Sequence, residues 1–98
     1  MKLPDDPFVR ELLPEFVEDW IIQIDNDYPK LFEEKNKEDL YRMAHTMKGS
    51  CYQFGINELG DLGVELMNDI KDENWDVVNQ KFKKVRTILT DIDNQLKD

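Results

Sequence analysis

The sequence predicts an all-α fold, an antiparallel up-down-up-down four-helix bundle with a short extra helix at its N-terminus. Apolar residues recur at spacings of three and four over most of the 98 residues, which is the period of amphipathic helices. With four glycines and four prolines, the chain has too few turn formers for a protein rich in tight β-turns. No linker-like segment interrupts the pattern, so residues 1–98 are expected to form a single domain.

Prolines divide the first part of the predicted bundle. Asp5 or Asp6 can cap a short helix with Pro7 in its first turn, because a carboxylate oxygen satisfies the free backbone amides there. Pro14 should bend the chain, and a longer helix should follow it until Pro29 kinks or ends that helix. The buried stripe of the longer helix is predicted to contain Phe16, Val17, Trp20, Ile21, Ile24, Tyr28 and Leu31.

Three further helices are predicted, joined by short connections that make neighbouring helices antiparallel. The second bundle helix runs from about residue 37 to residue 54, and Gly55 follows it as a left-handed cap. Asn57 can cap the third helix, which should end between Lys71 and Asn74, where the fourth begins. The predicted inward residues are Leu40, Met43, Ala44, Met47, Cys51 and Phe54, then Leu59, Leu62, Leu66 and Ile70, then Trp75, Val78, Phe82, Val85, Leu89, Ile92 and Leu96.

The composition excludes several classes of function. Thirteen Lys and Arg against 22 Asp and Glu leave a formal charge of -9, which repels nucleic acids and anionic membrane surfaces. No apolar run approaches the roughly 20 residues that span a bilayer, and the N-terminus lacks the apolar stretch of a signal peptide, so we expect a cytoplasmic protein. A single cysteine and a single histidine cannot provide an internal disulfide or a complete zinc site.

The one histidine, His45, lies in the middle of the second bundle helix, and the helical period places it on the exposed face. At about 100° per residue, the apolar residues of this helix centre about 200° away from it. The residues within roughly 60° of it are Tyr41, Arg42, Lys48, Gly49 and Tyr52. The imidazole is therefore predicted to point at solvent, where it is accessible as a nucleophile.

Two neighbours make this histidine a candidate site. Gly49 lies one turn after His45, although an interior glycine costs a helix about 1 kcal/mol relative to alanine. Because this face is charged, free space beside the imidazole explains the glycine better than close packing of another helix. Lys48 is the only basic residue between Arg42 and Lys71, and its ammonium can reach a group attached to the ring. Together these features indicate a site that accepts a phosphoryl group.

One segment resembles the signature of histidine-containing phosphotransfer (HPt) domains, which is roughly A-H-x-L-K-G-S-[SA], then G, then L-x-x-L. The matching residues run from Ala44 to Cys51 as AHTMKGSC and continue with Phe54-Gly55, Leu59 and Leu62. The resemblance covers both middle helices, and it implies a four-helix bundle. A methionine and a cysteine depart from the signature at its fourth and eighth positions, where both are volume-tolerant changes in a core.

The resemblance implies a phosphorelay intermediate with no kinase activity of its own. His45 would take a phosphoryl group from an aspartyl phosphate on a receiver domain, in a response regulator or a hybrid histidine kinase, and pass it to another receiver. Lys48 would stabilise the phosphohistidine, and Gly49 would leave room for it. No cofactor is expected on this chain, because the Mg²⁺ needed for transfer would be held by the receiver.

Tyr41, Arg42 and Tyr52 flank His45, and an aromatic ring with a polar tip suits a docking surface, so these residues are candidate receiver contacts. A monomer is expected, because all four helices bury their apolar faces internally. The residue that orients the His45 ring stays open; the candidates on the third bundle helix are Asp61, Glu65, Met67 and Asn68.

Two alternative functions also stay open. The first is an interaction module that binds a receiver or a kinase without being phosphorylated. The second is the phospho-accepting domain of a chemotaxis-type histidine kinase, although such a domain normally continues into a much longer chain. The absence of a Gly-rich nucleotide loop argues against any kinase activity in these 98 residues.

Overall fold

A computed structural model describes residues 2–97, and within this range it contains helices and connections but no strand. The helices are α1 (Pro7–Asn26), α2 (Tyr28–Glu33), α3 (Lys37–Gln53), α4 (Asn57–Lys71) and α5 (Trp75–Lys97). α3 packs against α4, α4 against α5, and α5 against α1, while the short α2 connects α1 with α3. The predicted all-α four-helix bundle is confirmed, with α1, α3, α4 and α5 as its four long helices.

The short N-terminal helix expected before Pro14 forms the first turns of α1, which is continuous through that proline. Asp6 caps it, because its carboxylate accepts hydrogen bonds from the amides of Phe8 and Val9. Pro14 is exposed, so the carbonyl that loses its intrahelical hydrogen bond faces water. Leu13 before Pro14 and Phe16 and Val17 after it are buried, so both halves of α1 pack against the same core.

The long helix ends at Asn26, and Pro29 lies in the first turn of α2, so the interruption predicted near Pro29 begins three residues before the proline. Tyr28 is buried, its ring lies 4.1 Å from the ring of Phe82, and its hydroxyl donates a hydrogen bond of 2.8 Å to Asn79. The short helix is thereby attached to α5. Burial raises the pKa of the Tyr28 phenol above its ordinary value, so the hydroxyl stays a donor.

The connection between α3 and α4 differs by one residue from the prediction. Gly55 has the predicted left-handed conformation, with φ of 77°, and the amide of Ile56 returns to the carbonyl of Cys51 at 2.9 Å. Asn57 is not the cap of α4, because the helix starts at Asn57 and the preceding Ile56 occupies the cap position without a side-chain hydrogen bond. Ile56 is buried, and its packing replaces the polar cap at this helix start.

All the predicted inward residues are buried or half-buried. The half-buried ones lie near helix ends and seams: Ile21, Leu31, Phe54, Trp75 and Leu96. The stacked rings of Phe16 and Phe54, with centroids 4.1 Å apart, join α1 to the end of α3. Between residues 2 and 97, no helix is long and apolar enough to cross a membrane.

Candidate functional site

His45 is exposed on the outward side of α3, as the helical period predicts. The residues on either side of it, Ala44 and Thr46, are respectively buried and exposed, so α3 turns its apolar side inward at this point. Across residues 2–97 the imidazole makes no hydrogen bond or ion pair to another side chain. The exposed imidazole is therefore not tied to another side chain in this part of the protein.

Gly49 lies one turn after His45 in open space. A Cβ atom built at this position would have no other heavy atom within 4 Å, apart from its own helix backbone and chain neighbours. Close packing of another helix therefore does not account for this glycine. The space one turn from the imidazole is therefore free, as the sequence predicts.

Lys48 is half-buried although it belongs to the polar side of α3. The cause is Gly63 of α4: a Cβ built on Gly63 would lie 2.9 Å from the Cβ, 3.0 Å from the Cα and 3.1 Å from the backbone nitrogen of Lys48. The two helix backbones therefore approach closely at this pair. Within residues 2–97 the Lys48 ammonium forms no ion pair, so its charge is available to a group bound near His45.

Tyr52 covers Gly60, a second glycine of α4 at the interface with α3. Its ring occupies the space where a Cβ on Gly60 would stand, and its hydroxyl donates a hydrogen bond of 2.5 Å to Asp61 Oδ1. This hydrogen bond to a carboxylate raises the pKa of Tyr52 above its ordinary value. Tyr52 nevertheless remains 39% exposed.

The other side of α3 borders a groove. This groove has a volume of about 480 Å³ and is open to solvent, and its walls come from α1, α2 and α3. The residues that line it are Trp20, Gln23, Asn26, Asp27, Lys30, Leu31, Asp39, Arg42, Met43 and Thr46. The groove extends along α3 as far as Thr46, the residue after His45, and His45 does not itself line it.

Tyr41 and Arg42 lie one turn before His45 and are both exposed. The Arg42 guanidinium pairs with Glu38 and Asp39, each at 3.2 Å, which holds it on the groove side of α3. Such exposed pairs within one helix are weak, so Arg42 can exchange them for a carboxylate of a partner. All three predicted docking residues are accessible in the structure.

None of the four candidate orienting residues forms a hydrogen bond with the His45 ring. Asp61 accepts the Tyr52 hydroxyl, and Glu65 pairs with Lys81 of α5 at 3.1 Å. The contacts of Lys48 with Gly63 and of Tyr52 with Gly60 set an antiparallel register that places Met67 at the level of His45. A thioether has no N–H or O–H to donate, so α4 does not orient the ring through this residue.

Cys51 does not compete with His45 as a nucleophile. It is fully buried on the core side of α3, and burial raises the pKa of its thiol to about 12. The neutral thiol is a poor nucleophile, and no receiver can reach it. Both observations agree with the core position that the sequence predicts for Cys51.

Two glycines of α4 lie next to the candidate site and were not singled out from the sequence. Gly60 and Gly63 are spaced by three and are buried inside a helix, where each costs about 1 kcal/mol relative to alanine. The argument applied to Gly49 would have singled them out as well. Only their contacts distinguish them, since Gly63 touches a neighbouring backbone and Gly49 touches nothing.

Comparison with known proteins identifies one family. A family model described as Hpt domain matches residues 9–95, which is nearly the whole chain. No individual curated protein and no solved structure matches the chain significantly.

Proposed function

The chain belongs to the Hpt domain family and has the histidine phosphotransfer role of that family in phosphorelays, and we propose that His45 is its phosphorylated residue. In this proposal His45 accepts a phosphoryl group from the aspartyl phosphate of one receiver domain and passes it to another. The observation that supports it best is an exposed imidazole, free of hydrogen bonds within residues 2–97, with open space at Gly49 on one side and the unpaired Lys48 on the other.

The proposed step is a direct transfer between two nucleophiles. A nitrogen of the neutral imidazole donates its lone pair to the phosphorus, and the N–P bond forms as the P–O bond to the aspartate breaks. The electron pair of the broken bond stays on the departing carboxylate. The proton on the other ring nitrogen is released to water once the N–P bond has formed, and it is regained from water when the phosphoryl group leaves. Onward transfer repeats these events with the aspartate of the second receiver as the acceptor.

Lys48 and Gly49 have separate proposed roles. The ammonium of Lys48 lies on the same side of α3 as His45 and would neutralise part of the negative charge that the ring acquires. Gly49 would leave the space that the phosphoryl oxygens need, since a side chain one turn from the ring would occupy it. Mg²⁺ is expected in the acidic pocket of the receiver, with no cofactor on this chain.

The receiver is proposed to dock on the face that contains His45, with Tyr41, Arg42 and Tyr52 in the contact. Hpt domains interact with receiver domains, and in-line transfer requires the receiver aspartate to approach the imidazole directly. The exposed rings of Tyr41 and Tyr52 can act as anchors inside a polar rim. The chain is expected to act as a monomer in the cytoplasm.

The decisive test is His45→Gln, incubated with a phosphorylated receiver. We expect the wild-type protein to gain a label that is stable in alkali and labile in acid, and the variant to fold but gain none. Glu18→Gln, an exposed change on α1, is the matched control and should be labelled like the wild type. Labelling of His45→Gln would contradict the assignment, and an unlabelled wild type would favour the interaction module.

Docking is tested separately from chemistry. Amide chemical shifts of the protein, recorded with and without an unphosphorylated receiver, should change in α3 between Tyr41 and Tyr52. Changes limited to α5, around residues 82–92, would mean that docking does not present His45 to the receiver.

A further inference from the structure

We propose that Gly63 is a positioning residue for phosphotransfer, because it lets α4 approach the backbone of Lys48 and so fixes where the lysine side chain begins. The inference rests on the proposed function, in which Lys48 stabilises the phosphohistidine at His45. It concerns a residue on a different helix, which touches neither the imidazole nor an incoming phosphoryl group.

Gly63 faces backbone atoms of the neighbouring helix. The three distances from its position to Lys48, between 2.9 and 3.1 Å, include two backbone atoms, the Cα and the nitrogen. A clash with the end of a flexible side chain is relieved by a rotation, but backbone in the middle of α3 moves only with the helix. A methyl group at Gly63 would therefore push α3 and α4 apart at Lys48.

The Lys48 side chain is long and flexible. An ammonium on a four-carbon stem acts as a mobile point charge, and its placement depends on how much of the stem is held. Lys48 is half-buried, because the base of its side chain lies against α4. Within residues 2–97 no ion pair holds the other end, so contact with α4 is the restraint that the structure provides.

The three glycines inside α3 and α4 differ in what they face. Gly49 faces open space, and Gly60 faces the ring of Tyr52, which is a movable side chain. Gly63 alone among these three faces backbone. Since Lys48 lies three residues after His45 on the same side of α3, a displacement at Gly63 reaches the phosphorylation site within one helical turn.

The main test is a double-mutant cycle on the rate of transfer from a phosphorylated receiver. Lys48→Ala removes the ammonium but keeps the Cβ, Cα and nitrogen that face Gly63, so the steric effect of Gly63→Ala is the same in both backgrounds. We expect Gly63→Ala to slow transfer roughly tenfold when Lys48 is present, within the range that misplacement by about 1 Å can cause. In the Lys48→Ala background it should slow transfer less than about twofold.

The control for loss of stability is Ile92→Val on α5, the helix diagonally opposite α3. Ile92 is fully buried, so this change also weakens the core, but it should leave the transfer rate within about twofold of wild type. Equal rates for Gly63→Ala and wild type would overturn the proposal. Slowing by the same factor in both backgrounds would also overturn it, because Gly63 would then act on folding or on His45 and not through Lys48.

A second measurement needs no variant and therefore does not depend on whether Gly63→Ala folds. In the wild-type protein, nuclear Overhauser effects should connect the α protons of Gly63 with the β protons of Lys48, which should have one defined χ1 rotamer. Averaged rotamers would overturn the proposal while leaving His45 labelling intact. Loss of labelling in the wild-type protein would instead reject the proposed function.

Discussion

The two sides of the His45 helix are built differently. Toward α4, α3 is in close contact: Gly63 meets the backbone of Lys48, and Gly60 lies under the ring of Tyr52. Toward α1, the same helix borders an open groove of about 480 Å³. The separation between helices is therefore fixed by close contact on the α4 side of α3, whereas the α1 side stays open to solvent.

The attachment of α1 fits this comparison. Asp25 of α1 forms a bidentate pair with Arg86 of α5, at 2.6 and 2.9 Å. The stacked rings of Phe16 and Phe54 join α1 to the end of α3. Between these points the groove separates α1 from Arg42 and Thr46. α1 is thus held to the bundle mainly from the side remote from His45.

The largest expected effect compares one leucine from each side of α3. Leu66 of α4 is fully buried, so Leu66→Ala should lower the free energy of unfolding by about 2–5 kcal/mol. Leu31 is half-buried at the groove, and Leu31→Ala should cost less than half as much, because less apolar surface is lost and water can fill the gap. Urea unfolding measures both, and equal losses would contradict the contrast between a closed and an open side.

A smaller effect on stability is expected at Gly49, and it should have the opposite sign. Gly49→Ala places a methyl group in open space, so helix propensity should leave stability unchanged or raise it by up to about 1 kcal/mol. Transfer should nevertheless be slower, because the added side chain occupies space beside His45. Thermal unfolding and labelling kinetics test the two parts, and a loss of stability would show that the position is not open.

The Asp25 pair with Arg86 should give the smallest effect, because the two side chains are 43% and 44% exposed and water screens the pair. The hydrogen bond from Arg86 lowers the pKa of Asp25, so the pair stabilises the fold fully above the ordinary aspartate pKa of about 4. This stabilisation is lost as the pH falls through the lowered pKa. Asp25→Asn should therefore be less stable than wild type at pH 7, with the difference shrinking in acid.

The control for this pH dependence is Asp19→Asn. Asp19 is an exposed carboxylate on the same helix and forms no ion pair within residues 2–97. Its substitution should change stability less than Asp25→Asn does, at either pH. If the two variants behave alike, the pair with Arg86 does not brace α1 against α5.

Much of the fold could be predicted because a helix is determined largely by residues that are close together in the sequence. The apolar period in α3, α4 and α5 predicted which residues turn inward, and Pro29 and Gly55 marked two helix boundaries through their own backbone restrictions. Pro14 was harder to interpret, since helix continuity there depends on whether the core holds both flanking turns. Lys35 and Glu73 also have left-handed backbone conformations, with φ of 52° and 59°, and the sequence did not predict them.

The sequence by itself determined the composition of the candidate site and the direction in which it faces. His45, Lys48 and Gly49 lie within one turn of one helix, so their relation follows from a period of 3.6 residues and needs no other part of the chain. Only the tertiary structure decided what surrounds them: the contact of Gly63 with Lys48, the level of Met67 and the groove beside Thr46. These depend on the register and separation of neighbouring helices, which are set by packing between residues that are distant in sequence.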